Sequence, residues 1–430
     1  MRNEMSRGGA IFVILALVVM GQAAIDIYLA SMPAMMAEFN VSEDIIQLTI
    51  STFLLGFGFS QLVYGPVSDF YGRRAVLFFG LPLFVASTIA CVFTHSSGWL
   101  LFFRFCEGVG IAAASVSARS IMRDYFRAKE LPQISSYMAM AWALVPILAP
   151  LIGGYIQHYM GWRTNFVFLA TAASLLSLYL YLYLPETNQH ARVGRFSFKS
   201  PFFAYKTLLG NKVFTSNMVV LAMLFSIFSI FNTSSSFLYE VHWGASPVVY
   251  GWTLLFISAG YFGGSFLNSR LIIRIDPRTV VGWGVAGLVL TSAVSFLIQR
   301  WASMGPDGLG IEMFLIYMAL GLIFANSVAA CLRPFPGIAG SASAMYGFLV
   351  FTGGFVSSAV FAKVFNPTLG TLTMTLLVLS ILMALAFTGT IFVYRTVKQT
   401  AKSNKSKGSD SIDFSREYAT SKGSDSIDCL

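Results

Sequence analysis

The chain has 430 residues, of which 56% are hydrophobic and only 11% charged, with a mean hydropathy of +0.71. A soluble domain carries about 25% charged residues, so this composition excludes one and points to an integral membrane protein. The net charge of +9 is spread over short loops, a pattern that argues against nucleic acid as a partner.

Apolar runs of about 20 residues, the length needed to cross a bilayer, recur along the chain. They cover 10–32, 46–65, 75–94, 98–120, 134–156, 163–184, 214–238, 250–272, 279–299, 312–332, 342–363 and 372–395. Backbone inside a bilayer must hydrogen-bond internally, so these twelve segments are predicted to be helices. They divide into a half over 1–185, a linker over 186–213, a half over 214–396 and a disordered tail over 397–430. The first span is too long and too weakly flanked for a cleaved signal. Lys and Arg set the expected orientation. Arg104, Arg163, Arg300 and Lys363 lie toward one side, and the other 24 of 28 lie toward the opposite side or in the tail. The positive-inside rule then places both termini in the cytoplasm, with anionic lipid as a further contact.

Within span 1, Asp26 interrupts an otherwise apolar run. An ionisable group at that depth costs about 2.5–3.5 kcal/mol, and its default reading is a proton or substrate site. After span 2 comes Gly65-Pro-Val-Ser-Asp69-Phe-Tyr-Gly72-Arg73-Arg74. Its glycines let helix ends approach, and Asp69 can cap a neighbouring helix while pairing with an arginine, a cluster able to hold a gate shut. A second glycine-plus-cation turn follows span 8 (Gly263 to Arg278), with Asn268 in place of Asp69. This supports two duplicated halves with a site between them.

Span 4 carries Arg104 and Glu107, i and i+3 on one helix face. At about 1.5 Å per residue, Asp26 and Arg104 both lie about 9 Å inside the same membrane surface, so the two are expected to meet. A carboxylate beside an arginine stays ionised, and one deprived of it in an apolar setting takes up a proton. The competing reading is a static ion pair that fixes helix packing. Span 5 holds Ala149, Pro150, Gly153 and Gly154, where proline removes a helix bond and glycines allow tight packing.

Several patterns carry no chemistry. Cys91, Cys106, Cys331 and Cys429 show no metal or disulfide spacing, and His95, His158, His190 and His242 are scattered. A Gly-x-Gly-x-x-Gly at Gly282–Gly287 lies inside an apolar span rather than after a strand, and no phosphate-binding loop motif is present. No cofactor is expected. A membrane enzyme would need a catalytic constellation such as His-Glu-x-x-His, and the sequence has none. The 40 Phe, 18 Tyr and 18 Met suit an apolar cavity, with Phe225, Phe228, Phe231 and Phe237 as candidates. The tail repeats Ser-Lys-Gly-Ser-Asp-Ser-Ile-Asp at 406–413 and 421–428.

Taken together, the motifs resemble a known family. Gly65, Asp69, Gly72, Arg73 and Arg74 match the loop signature of the major facilitator superfamily. The span 4 element around Arg104 resembles its R-F-x-Q-G, with Glu107 where glutamine is usual. Ala149, Pro150, Gly153 and Gly154 resemble the G-P-x-x-G-G signature of drug–proton antiporters, with Val145 at the outer glycine. Ile25 to Pro33, Ser117 to Asp124 and Arg333 to Ala344 are similar to the Bcr/CflA (bicyclomycin-resistance) branch, with Ala30 in place of a proline. The resemblance implies an all-α membrane protein of twelve helices in two pseudo-symmetric six-helix halves. It implies a monomeric, proton-coupled exporter of hydrophobic or amphipathic small molecules in the bacterial inner membrane, with Asp26, Arg104 and Glu107 in proton coupling. An exporter or importer of an endogenous metabolite such as a siderophore is the alternative.

Overall fold

The computed structural model describes residues 5–127, 130–188, 199–335, 338–364 and 368–406. The described residues are helical throughout, with no strand among them. The first half holds α1 (Arg7–Asp26), α2 (Met32–Phe39), α3 (Glu43–Tyr71), α4 (Arg73–Phe93), α5 (Ser97–Tyr125), α6 (Leu131–Met160) and α7 (Trp162–Tyr183). A linker helix α8 (Lys199–Gly210) leads to α9 (Lys212–Ser236), α10 (Pro247–Leu271), α11 (Pro277–Trp301), α12 (Pro306–Leu332), α13 (Ala339–Val364) and α14 (Leu369–Ser406). Eleven of the long helices are long and apolar enough to cross a membrane. The twelfth, α10, has 25 residues, but Gly251, Gly260, Gly263 and Gly264 dilute its hydropathy.

The packing repeats. In the first half α1 packs on α5, α6 and α7, α5 packs on α3 and α4, and α4 packs on α7. In the second half α9 packs on α12, α13 and α14, α12 packs on α10 and α11, and α11 packs on α14. Substituting each helix by its counterpart turns one set of pairs into the other. The halves meet along α3 with α13 and along α6 with α10, and the same symmetry interchanges these two seams. We call the side where α1 begins the terminal face.

Two elements depart from the expected spans. Span 1, expected over 10–32, ends as an α-helix at Asp26 and continues as a 3-10 turn over Leu29–Ser31 and then as α2. Pro33 is the cause, because it has no N–H to donate back into a continuous helix and is tolerated only in the first turn of a new one. The tail expected to be disordered from 397 instead continues α14 to Ser406. Neither Gly nor Pro interrupts the chain there until Gly408. The repeat beyond Ser406 lies outside the described residues.

Candidate functional site

Asp26 is the last residue of α1 and is buried. Gln22, one turn earlier, donates from Nε2 to its Oδ2 at 2.8 Å. Its Oδ1 has no hydrogen-bond partner among the described residues. The carboxylate lies within electrostatic reach of Tyr250 and Tyr317, both from the second half. The helix break beside it is held from α6 and α7. Asn165 donates to Ser31 Oγ at 2.8 Å and to the Gly153 carbonyl at 3.2 Å. Gly153 itself lies so close to the Ile27 carbonyl that a side chain there would collide with backbone. Gly154 lies in the same way against the carbonyl of Pro247, the first residue of α10. The Pro146 carbonyl of α6 accepts from Ser258 of α10 at 3.1 Å. Ala149 is buried and Pro150 sits inside the helix. The α6 motif therefore touches the unwound end of span 1 and the second half at adjacent residues.

The expected ion pair of Asp26 with Arg104 is not formed. Arg104 Nη1 bonds Glu107 Oε2 at 2.6 Å, and both side chains are completely buried. Its Nη2 reaches only the Ala24 carbonyl, at 3.3 Å. The guanidinium is sandwiched by Tyr28 and Phe53, 4.2 and 4.5 Å from the ring centroids. The i, i+3 spacing puts Glu107 on the same face as Arg104, and the aromatic sandwich fixes the guanidinium toward it. Among the described residues, no cation pairs with Asp26.

A second cluster lies at the terminal face. Arg73 bonds Asp69 at 2.6 Å and Asp124 at 2.7 Å, and Ser68 Oγ accepts from it at 3.1 Å. Gly72 between the helices has φ +100°, a left-handed conformation that favours glycine. Glu186 accepts from the backbone N–H groups of Arg73 and Arg74 at 2.9 and 3.1 Å, capping α4 with a negative charge where the helix dipole favours one. Arg74 lies over Phe78 instead of joining this cluster. Asp69, Gly65, Arg119 and Arg123 face Gly340, Ser343 and Ala344 at the start of α13, across the seam. In the second half, Asn268 accepts from Asn326 at 2.7 Å, so an amide pair stands where the first half uses charges. On the opposite face, Asp44 of α3 pairs with Lys363 of α13 at 2.9 Å.

Between the two faces lies a mostly apolar cavity between the halves, the kind of lining that small-molecule sites use. Trp142 and Pro146 of α6 form one wall, and Phe225, Phe228, Tyr261, Tyr317 and Phe324 form much of the other. Trp142 stacks on Phe324 at 5.6 Å with 4° between the planes. Of the sequence candidates, Phe225 and Phe228 line this cavity, while Phe231 and Phe237 are buried outside it. Glu186 and the aromatic wall of Trp142, Tyr261 and Phe324 escaped the sequence reading, since nothing local sets them apart from other linker acids and lipid-facing aromatics.

The described residues form pseudo-symmetric halves with a cavity between them, an ion cluster at one face and an ion pair at the other. A Major Facilitator Superfamily model matches residues 11–358. The chain belongs to the Major Facilitator Superfamily. Its members are transporters rather than enzymes, and this chain is a multi-pass membrane protein. It is 28% identical over 384 residues to multidrug resistance protein D of Escherichia coli, covering 88% of this chain and 94% of that one. It is 25% identical over 343 residues to a bicyclomycin resistance protein homolog of Haemophilus influenzae, covering 79% and 85%. These relatives agree with the Bcr/CflA branch that the motifs resemble. A solved D-xylose–proton symporter shares the fold, with a TM-score of 0.69 at 16% identity over 88% of this chain and 96% of that one.

Proposed function

We propose that the chain exports hydrophobic or amphipathic small molecules across the bacterial inner membrane in exchange for protons, and that Asp26 carries the coupling proton. The carrying observation is Asp26 itself, a buried carboxylate at a helix break that has, among the described residues, no cation beside it and one oxygen unpartnered. A charge held there is costly, whereas a proton makes the group neutral. Tyr317 links it to the cavity, because this tyrosine both lines the cavity and senses Asp26. A proton at Asp26 and a substrate against Tyr317 would therefore act on each other. Export of drugs is supported by the relatives' names and by an aromatic cavity that suits flat apolar molecules.

In this reading the Arg73–Asp69–Asp124 cluster is the cytoplasmic gate and the terminal face is cytoplasmic. Asp44–Lys363 closes the outer face. Arg104 and Glu107 shape the pocket around Asp26 as a neutral pair. One chain contains the whole cavity, so a monomer suffices. The experiment is proton-gradient-driven uptake into inverted vesicles. Asp26→Asn should fold normally, since Gln22 can still donate to the amide oxygen, and should lose uptake driven by the gradient. Undiminished gradient-driven uptake in that variant would overturn the reading. A panel of toxic compounds and siderophores in a transporter-depleted strain separates drug export from metabolite transport.

A further inference from the structure

The symmetry of the halves exposes a second buried acid. α5 and α12 are counterparts, and each carries a carboxylate deep on the side away from the terminal face. In α5 it is Glu107, neutralised by Arg104 at 2.6 Å. In α12 it is Glu312, six residues beyond Pro306 and thus about 9 Å inside the helix end. Arg104 lies seven residues beyond Ser97, at about 10 Å. Glu312 is only 2% exposed, and neither carboxylate oxygen has a hydrogen-bond partner among the described residues.

Its surroundings offer no described cation. Ser295 of α11 faces the carboxyl without closing a hydrogen bond of ordinary geometry. One turn away on α11, Ser292 is buried with its hydroxyl also unpartnered. From the π-helical turn Phe237–His242 at the end of α9, Tyr239 faces both Glu312 and Asp307. Its hydroxyl donates to the Pro306 carbonyl at 2.9 Å, tying that turn to the end of α12 above Glu312. On α10, the Tyr250 hydroxyl is engaged with Ser235 and stands near Glu240. Arg300 of α11 is exposed, and Lys363 of α13 is paired with Asp44. An ionised Glu312 would have nothing to balance it, and a buried uncompensated charge is among the costliest arrangements a protein can hold.

We propose that Glu312 is a second proton-binding site, placed in the second half where the first half has the Arg104–Glu107 pair. The proton does there what Arg104 does for Glu107. Opening of the face that the π-helical turn covers would admit water to Glu312 and let that proton leave. The site's part in transport rests on the proton-coupled reading above, but its occupancy by a proton does not.

The test counts protons on the purified full chain in detergent, titrated between about pH 9 and about pH 5, a range that spans ordinary and raised carboxyl behaviour. Asp26→Asn serves as the background, so that Asp26 is silent, and acids such as Glu240 that remain contribute equally with and without Glu312. Adding Glu312→Gln should lower the count by one proton per chain and remove a pH-dependent carboxylic-acid carbonyl band from the infrared difference spectrum. Glutamine matches the neutral acid in shape, so the double variant should keep its melting temperature. Glu312→Asp in the same background should restore the proton. Equal counts with and without Glu312→Gln would overturn the proposal, as would a carboxyl band that is unchanged across the whole range. If the glutamine variant does not fold, Glu312→Asp in the Asp26→Asn background decides, since changing the length of this acid should shift its own carboxylic-acid band, and a band identical in both chains would overturn the proposal. No substrate is needed, so failure of the Asp26 coupling test leaves this result independent.

Discussion

Gly153 of α6 lies against the carbonyl of Ile27, the residue that follows Asp26. The antiporter-type motif is thereby a neighbour of the helix break beside the buried carboxylate, and its partner Gly154 rests on the first residue of α10. A movement of α6 against the second half therefore bears on the backbone beside Asp26.

Gly153→Ala tests this. The added methyl meets backbone rather than a flexible side chain, so relief requires a shift of α1 against α6, typically costing about 1–3 kcal/mol. The variant should melt several degrees lower in detergent and lose most gradient-driven transport. Gly161→Ala, at a turn with φ +84° and open space around it, should destabilise through backbone strain alone and leave transport per folded molecule near wild type. Equal transport by both folded variants would remove the link between α6 and Asp26.

The Arg104–Glu107 pair makes a different prediction. Removing Glu107 strands the Arg104 charge among Tyr28, Phe53 and Phe166, removing Arg104 leaves Glu107 completely buried without its partner, and breaking such a buried pair costs about 3–5 kcal/mol. Arg104→Met should therefore be strongly destabilised, and Glu107→Gln likewise. The double variant Arg104→Met/Glu107→Gln should recover much of the lost stability, because both charges leave together. Thermal melts of the four proteins give the coupling directly, and additive losses would show that the two residues do not neutralise each other. Arg104→Lys should not substitute, since an ammonium cannot lie flat between two rings.

Much of the architecture was legible from hydropathy and repetition alone, because twelve apolar runs and a central polar linker leave few arrangements in a bilayer. Asp26, Arg104 and Glu107 were also legible, as charges in apolar spans. Their pairing was not. Depth along a helix follows from residue count, but which carboxylate faces an arginine depends on rotation and on aromatic neighbours, and the i, i+3 partner on the same helix won. The break after Asp26 had a local signal in Pro33 that the apolar run concealed. Glu312 had none, since an acid near the start of a span reads as a loop residue until burial is known.

At the terminal face, Arg73 is shared between Asp69 and Asp124. Asp124→Asn should leave Arg73 held by Asp69 alone and weaken the closure against Gly340 and Ser343. A cysteine introduced at Ser343 should then react several-fold faster with a membrane-impermeant maleimide applied from the terminal side. Asp69→Asn should raise the rate further, because Asp69 both pairs Arg73 and faces α13. Glu186→Gln should change it less, since that residue caps α4 within the first half. Labelling rates identical in all three variants would show that this cluster does not hold the face closed.

The cavity's one planar stack crosses the seam between the halves. Trp142 belongs to α6 and Phe324 to α12, and their rings are nearly parallel. An aromatic pair of this kind is worth about 0.5–1.5 kcal/mol beyond its buried area. A flat substrate that enters between or beside the rings would exchange that contact for one of its own. Trp142→Ala removes the wall contributed by the first half, so binding of an aromatic cargo should weaken about tenfold, a loss of about 1.4 kcal/mol. Trp142→Phe should retain most of the affinity. Pulling the first-half wall away should not disturb Asp26, which is bonded by Gln22 of its own helix and is not among the residues lining the cavity, so proton binding measured without substrate should be unchanged. Kd from fluorescence quenching and proton uptake from a pH-indicator titration give the two numbers on the same preparation. Loss of both together would place Trp142 in the support of the fold instead of in the cargo site.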